Sequence, residues 1–278
     1  MSISSKKVIV IKAKPILRWA GGKKWLSPFI HELVRNNTYR NYHEPFLGGG
    51  AIFLSLQPSM AYLSDLNKEL INTYKTVRDN PIGVINKLKE FKNTENFYYK
   101  IRSLRPDSNI AKAASFIYLN QTSFNGIYRV NLNGEYNVPY GFRKKNFLDE
   151  ENIKQMSRLL KKASLINCDF ECIKPNIKKK DLIFLDPPYT VSHNLNGFIK
   201  YNQKLFSLSD QYRLSDLVDY IKRKDAYYIV SNAAHETIKQ IFDKKDSIVK
   251  LRRGSLIGGL NAKRGVVDEY LFTNLQIT

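Results

Sequence analysis

A chain of 278 residues with 43% hydrophobic side chains holds enough apolar material for one large domain, or one domain carrying an insertion, which excludes global disorder. Lys and Arg number 45 against 25 Asp and Glu, and this net charge of +20 is spread along the chain. The first expected partner is therefore a polyanion, nucleic acid ahead of an acidic membrane surface, with simple solubility as the plain alternative.

No stretch approaches the roughly 18 apolar residues of a membrane span. The apolar run inside "KKVIVIKAK" (6–14) is too short for a secretory signal, so a cytoplasmic location is expected. From 24 to 35, Trp25, Phe29, Ile30 and Leu33 recur at helical spacing and predict an amphipathic helix. "NYHEPF" (41–46) predicts a short strand, broken by three glycines at 48–50, after which "AIFLSL" opens a helix. "MAYLSD" (60–65) predicts a second strand that ends on Asp65. Strand, glycine turn, helix and strand are the opening of a parallel α/β sheet.

From 66 to about 121 the pattern is helical in pieces, with Asn80-Pro81 and Thr94 as caps. In "SFNGIYRVNLNGEYNVPYG" (123–141), aromatic and β-branched residues flank Asn133-Gly134, a strong hairpin signal. "FRKKNF" (142–147) adds a basic run at its exit. After a helix near 149–162 the α/β rhythm resumes, with strands predicted at 164–167, 182–185, 226–231 and 247–251 and helices at 209–223 and 234–242. The tail "RRGSLIGGLNAKRGVVDEYLFTN" reads as two strands joined by a basic, glycine-rich loop. Cys168 and Cys172, with four scattered histidines, form no zinc constellation and are expected to be reduced core residues.

Two turns carry chemistry. In "EPFLGGGAIF" (44–53) glycines between strand and helix let backbone approach a ligand closely. The dinucleotide pattern wants a third glycine where Phe53 stands, and "AGGKKW" (20–25) puts Lys24 where a phosphate loop needs Ser or Thr, so NAD and ATP enzymes are set aside. An adenosine ligand without a pyrophosphate fits better, with Asp65 on its ribose; a tight turn with a capping Asp is the alternative. In "DLIFLDPPY" (181–189) an apolar strand delivers Asp186 to its carboxyl end, where open α/β sheets bind ligands. An acceptor side chain, the Pro187 carbonyl and the flat face of Tyr189 suit an amino group on a planar ring. A Pro-Pro loop with an incidental Asp is the bland alternative.

"DPPY", with "FLGGG" upstream and "RWAGGKKW" (18–25) before that, resembles the amino-methylating DNA methyltransferases that use S-adenosylmethionine, in the order of the alpha group, the D12 class. The hairpin segment resembles the Dam type, which methylates N6 of adenine in GATC. The likeness runs from about residue 15 to 273. It implies a Rossmann-like S-adenosylmethionine-dependent methyltransferase sheet (α/β) with an inserted helical, hairpin-bearing DNA-recognition domain. Residues 1–67 and 150–278 would form the catalytic domain and 68–149 the target-recognition domain.

By the same resemblance, Trp19, Lys23, Phe46, Gly48, Gly50, Asp65, Asp169 and Asp186 hold the methyl donor, and Asp186, Pro187, Pro188 and Tyr189 form the catalytic turn. The family usually shows a glycine before the Asp that stands here at 169; this chain has Cys168. Arg18 matches a contact to the first guanine of the target, and Phe124, Asn125, Ile127, Arg129, Asn137 and Pro139 match hairpin positions that enter or read the rest of the site, with Lys144 on the backbone. The implied substrate is double-stranded DNA, its adenine flipped out for reaction. No metal and no obligate protein partner are implied; a cognate restriction endonuclease acting on the same site is the one partner the resemblance admits. RNA methylation, protein-glutamine methylation and DNA binding without catalysis are the competing readings.

Overall fold

The computed structural model describes residues 12–131, 133–189, 206–254 and 266–277. Strands β1 (Tyr42–Glu44), β2 (Ala61–Asp65), β3 (Ala163–Asn167), β4 (Leu182–Leu185), β5 (Tyr227–Ala233), β6 (Ser247–Gly254) and β7 (Val266–Thr273) form a sheet in the order β3-β2-β1-β4-β5-β7-β6. β1 runs parallel to β2 and β4, β4 runs parallel to β5, and β7 lies antiparallel between β5 and β6. This is a mixed α/β sheet of the Rossmann-like kind that the resemblance implies. The basic, glycine-rich loop expected between the last two strands lies outside the described residues.

All four residues of β4 are buried, as the uninterrupted run "LIFL" requires of a central parallel strand. Helix α8 (Leu208–Arg223) starts at a capping box in which the Ser207 hydroxyl receives the Asp210 backbone N–H and the Asp210 carboxylate receives that of Ser207. Its Leu214, Leu217, Val218 and Ile221 pack in one core with Ile183 and Leu185 of β4 and Tyr228 and Val230 of β5. Each such buried aliphatic side chain contributes roughly 1.5–3 kcal/mol relative to exposure. His235, not residue 234, caps helix α9 (Glu236–Phe242), because its ring nitrogen accepts the Thr237 N–H.

Asp181, fully buried just before β4, ties that strand to β1. One carboxylate oxygen receives the backbone and side-chain N–H of Asn41, and the other meets His43 Nε2 at 3.0 Å and receives the Lys178 N–H. Four donors on one carboxylate satisfy a group that would otherwise be costly to bury.

The helical pieces follow their caps. Asn67 caps α3 (Lys68–Asp79), Asn80 caps α4 (Pro81–Lys89), Thr94 caps α5 (Glu95–Ser103) and Ser108 caps α6 (Asn109–Thr122), each by accepting a backbone N–H of the first turn. Residues 113–120 of α6 are buried on every side, with α3, α4 and α5 packed around it. Helix α7 (Glu150–Leu160) packs on α3 and α4. The chain divides into two compact units, one of residues up to 24, 48–57 and 67–165, the other of 25–47, 58–66 and from 166 onward.

The cysteine expectation is corrected. Cys168 and Cys172 are joined by a disulfide and are only half-buried. The end of β3 and the following short 3-10 helix (Phe170–Asn176) bring their Cα atoms to 6.3 Å, within bridging range.

Candidate active site

In the sheet-bearing unit, strand order reverses between β1 and β4, with β2 and β3 on one side and β5 on the other. Open α/β sheets bind ligands at the carboxyl edge of such a switch point. The sequence-predicted residues of this unit follow those strand ends: Phe46 after β1, Asp65 closing β2, Asp169 after β3 and Asp186 after β4. The ends of β2 and β3 are stitched together, since Cys168 N–H and the Asn167 amide both donate to the Asp65 carbonyl.

Asp186 is half-buried. The hydroxyl of Ser231, itself buried near the end of β5, donates to its Oδ1 at 2.6 Å. Pro187 is buried, Pro188 exposed and Tyr189 half-buried. A second carboxylate, Glu44, is buried at the end of β1 and accepts the Tyr42 hydroxyl at 2.9 Å. Burial first, then Glu44, then the more distant charge of Asp186 push the Tyr42 hydroxyl well above its ordinary pKa, so it stays a donor.

Phe46 stacks on Phe170 at 5.4 Å and meets Phe206 edge-on at 5.7 Å. The Arg213 guanidinium lies over the other ring of that pair, Phe170, and binds Asp169, Glu171 and Asp210. Oδ1 of Asp169 thus serves both Arg213 and the N–H of Glu171. The same contacts, Glu171 foremost, raise the Arg213 pKa, fixing a permanent cation among three acids.

In the other unit, Gly48 adopts φ +45, and a Cβ there would stand 2.7 Å from the Trp19 ring. Only glycine allows that approach. The Gly48 carbonyl accepts the Tyr74 hydroxyl at 2.8 Å, and Gly50 at φ +65 leads into α2 (Ala51–Leu56). Trp19 also stacks on Tyr128 at 5.5 Å. Lys23 is buried, with Nζ donating to the Gly21 carbonyl at 3.0 Å. Arg18, half-buried, packs against the Phe124–Gly126 turn.

The expected hairpin is a ladder of single bridges, not two regular strands. Ser123 pairs with Tyr140 and Val130 with Tyr136, while Gly134 at φ +76 donates to the Asn131 carbonyl at the turn. Phe124, Asn125, Arg129 and Pro139 are exposed; Ile127 and Asn137 are half-buried. Arg129 donates to the neutral side chain of Asn137 at 2.8 Å. Lys144 stands exposed beyond the hairpin.

Sequence reasoning missed Ser231, Glu44 and Arg213. Ser231 was open to the rule that found Asp186, a polar residue near the carboxyl end of a central strand. Arg213 carried no local signal, because two of its three acids come from a distant segment.

Residues 19–254 match the family model described as D12 class N6 adenine-specific DNA methyltransferase. The chain belongs to this family. It is 33% identical over 275 residues to "Type II methyltransferase M1.LlaDCHI" of Lactococcus lactis, covering 95% of this chain and 96% of that one. It is 32% identical to "Type II methyltransferase M.MjaIII" of Methanocaldococcus jannaschii (80% and 85% covered) and 32% identical to a "DNA adenine methylase" of Haemophilus influenzae (87% and 88% covered). As a D12 class enzyme it methylates adenine in DNA, which removes the non-catalytic reading. No helix among the described residues is long and apolar enough to cross a membrane.

Proposed function

We propose that this D12 class enzyme transfers the methyl group of S-adenosylmethionine to N6 of adenine in double-stranded DNA, at GATC or a related GAT-containing site, after turning the adenine out of the helix. The observation that carries the reading is Asp186, held by Ser231 at the carboxyl end of the buried strand beside the switch point.

The strand-end residues of the sheet-bearing unit suit an adenosine-type ligand. Asp65 ends β2 where a ribose hydroxyl would be met, while Gly48, whose missing Cβ makes room for the Trp19 ring, is assigned to the donor by resemblance. Phe46 and Asp169 sit at the neighbouring strand ends. Trp19, Lys23 and Gly50 are assigned to the donor by resemblance. When bound, S-adenosylmethionine supplies an electrophilic sulfonium methyl and its own leaving group.

A stacked adenine cannot reach this turn, and flipping costs a few kcal/mol. Phe124, an exposed ring on the hairpin, is suited to fill the gap as an apolar wedge. Tyr189 stacks on the extruded base. Asp186 and the Pro187 carbonyl accept hydrogen bonds from the N6 amino group, drawing its lone pair out of conjugation and aiming it at the methyl. Pro188 keeps the turn rigid, so positioning supplies most of the rate. Arg18 and Arg129 read guanines; Asn125, Ile127, Asn137 and Pro139 complete the base-facing surface; Lys144 contacts phosphate. Residues 68–149 act as the recognition domain, and 1–67 with 150–278 as the catalytic one. The proposed setting is the cytoplasm, on DNA, with a restriction endonuclease of the same site as the candidate partner.

Sequencing of DNA from a methylation-free host expressing the protein tests the site. A single GAT-containing motif with modified adenine is expected. Modification confined to motifs lacking GAT would overturn the specificity.

A further inference from the structure

We propose that Asn120 is a positioning residue for target recognition, holding Arg18 and the Phe124–Gly126 turn as one reading unit. The inference rests on the reading of Arg18 as a guanine contact.

Asn120 is fully buried near the end of α6, where the helix turns towards the hairpin. A buried amide is costly unless its polar atoms are bonded, so its bonds show what it organises. Its Oδ1 accepts the Arg18 N–H at 2.6 Å, and its Nδ2 donates to the Arg18 carbonyl at 2.8 Å. The side chain thus grips Arg18 as a neighbouring β-strand would, fixing the backbone on both sides of its Cα. The same Nδ2 donates to the Gly126 carbonyl at 3.3 Å. One side chain therefore ties the two segments that are assigned to the DNA bases.

Gly126 shows the fit from the other side. At φ +63, a Cβ placed there would lie 2.4 Å from Arg18 Nε and 2.6 Å from its Cζ. The guanidinium occupies the space that any other residue at this position would fill. Asn125, beside it, also has positive φ, at 54. Strained backbone of this kind persists where the surroundings over-determine it, often at ligand-reading sites. Burial and the nearby charge of Arg143 lower the Arg18 pKa, and among the described residues no carboxylate pairs with its guanidinium. A half-buried cation beside another cation is held for an anionic or acceptor-rich partner that arrives later, which the O6 and N7 of guanine supply.

The role differs from base contact. Asn120 touches no base in this scheme; it acts through Arg18. Removing its two donor bonds while keeping the acceptor, as in Asn120→Asp, should loosen Arg18 and lower discrimination at one base pair. Gly126→Ala reaches the same end by another route, leaving the Asn120 amide intact and pushing the guanidinium aside.

The test compares kcat/KM on a duplex carrying the preferred site with kcat/KM on its single-pair variants, for wild type, Arg18→Ala, Asn120→Asp and Gly126→Ala. The ratio is internal to each protein, so partial unfolding cancels. Arg18→Ala should lower the ratio at one guanine pair by about five- to 150-fold, the range of a lost bidentate contact. Asn120→Asp and Gly126→Ala should each lower it at that same pair by at least about fivefold, leaving other pairs unchanged. If Arg18→Ala relaxes the pair while both others slow all duplexes by one common factor, Asn120 is structural only and the inference is wrong. If Arg18→Ala leaves every ratio intact, the assignment of Arg18 fails and this inference falls with it.

Discussion

The Ser231 hydroxyl donates to Oδ1 of Asp186 at 2.6 Å, joining the carboxyl ends of β5 and β4. A carboxylate held by a fixed donor keeps one orientation before substrate arrives, which is the pre-organisation that catalysis by positioning needs.

Ser231→Ala should therefore lower kcat while leaving KM for DNA and donor affinity near normal. Hydrogen bonds to charged groups contribute roughly 1.5–3 kcal/mol, so a ten- to hundredfold fall is expected. Steady-state kinetics with calorimetric donor titration checks it. A KM effect with unchanged kcat would assign Ser231 to binding instead.

Tyr189→Phe should be milder than Tyr189→Ala, because stacking needs the ring more than the hydroxyl. Base–aromatic stacking contributes about 1–3 kcal/mol per base. Single-turnover rates on one duplex separate the two variants. Equal losses in both would remove stacking as the role of this side chain.

Arg129 presents a different case, since its guanidinium is bonded to Asn137 across the hairpin and must exchange that bond for a base. Arg129→Ala should shrink discrimination at one base pair by about 1–3 kcal/mol. Lys144→Ala should weaken binding to all duplexes and reduce the salt slope by about one. A uniform rate loss in Arg129→Ala, with site choice kept, would show that the hairpin reads backbone and not bases.

Legibility in the sequence followed locality. "LIFLDPPY" revealed both a buried strand and the residue it delivers, because β4 is apolar throughout and Asp186 comes next in the chain. Asn80 and Thr94 were legible as caps, since a cap is decided within four residues. Helix α6 was harder: buried all round, it lacks the polar face that gives a helix its period. The Ser231–Asp186 bond, the Arg213 network and the grip of Asn120 on Arg18 join distant segments, which no window along the chain reports. The paired cysteines escaped for a further reason, because C-x3-C spacing does not say whether the Cα atoms approach.

Stability should depend on acid through Asp181. Burial by itself pushes this carboxyl up, but hydrogen bonds from His43 and from the Lys178 and Asn41 N–H groups outweigh it and hold it below the ordinary carboxylate range. A group depressed in the folded state stabilises fully above its unfolded value, near about 4, and loses that contribution as pH falls through the folded value. Urea melts should show wild type losing stability below about pH 4. Asp181→Ala, which strands the buried donors, should cost about 1–3 kcal/mol or more at pH 7 and flatten the acid limb. An unchanged acid limb in that variant would assign the pH dependence to other carboxylates.

The most direct measurement is methyl transfer by the purified protein from S-adenosylmethionine labelled in its methyl group, offered duplex DNA, RNA and protein in parallel, with folded Asp186→Ala alongside. The account predicts label in N6-methyladenine of the duplex, little in RNA or protein, and loss of transfer in Asp186→Ala. Label recovered mainly in RNA or protein, or near-normal turnover by the Asp186→Ala protein, would contradict it.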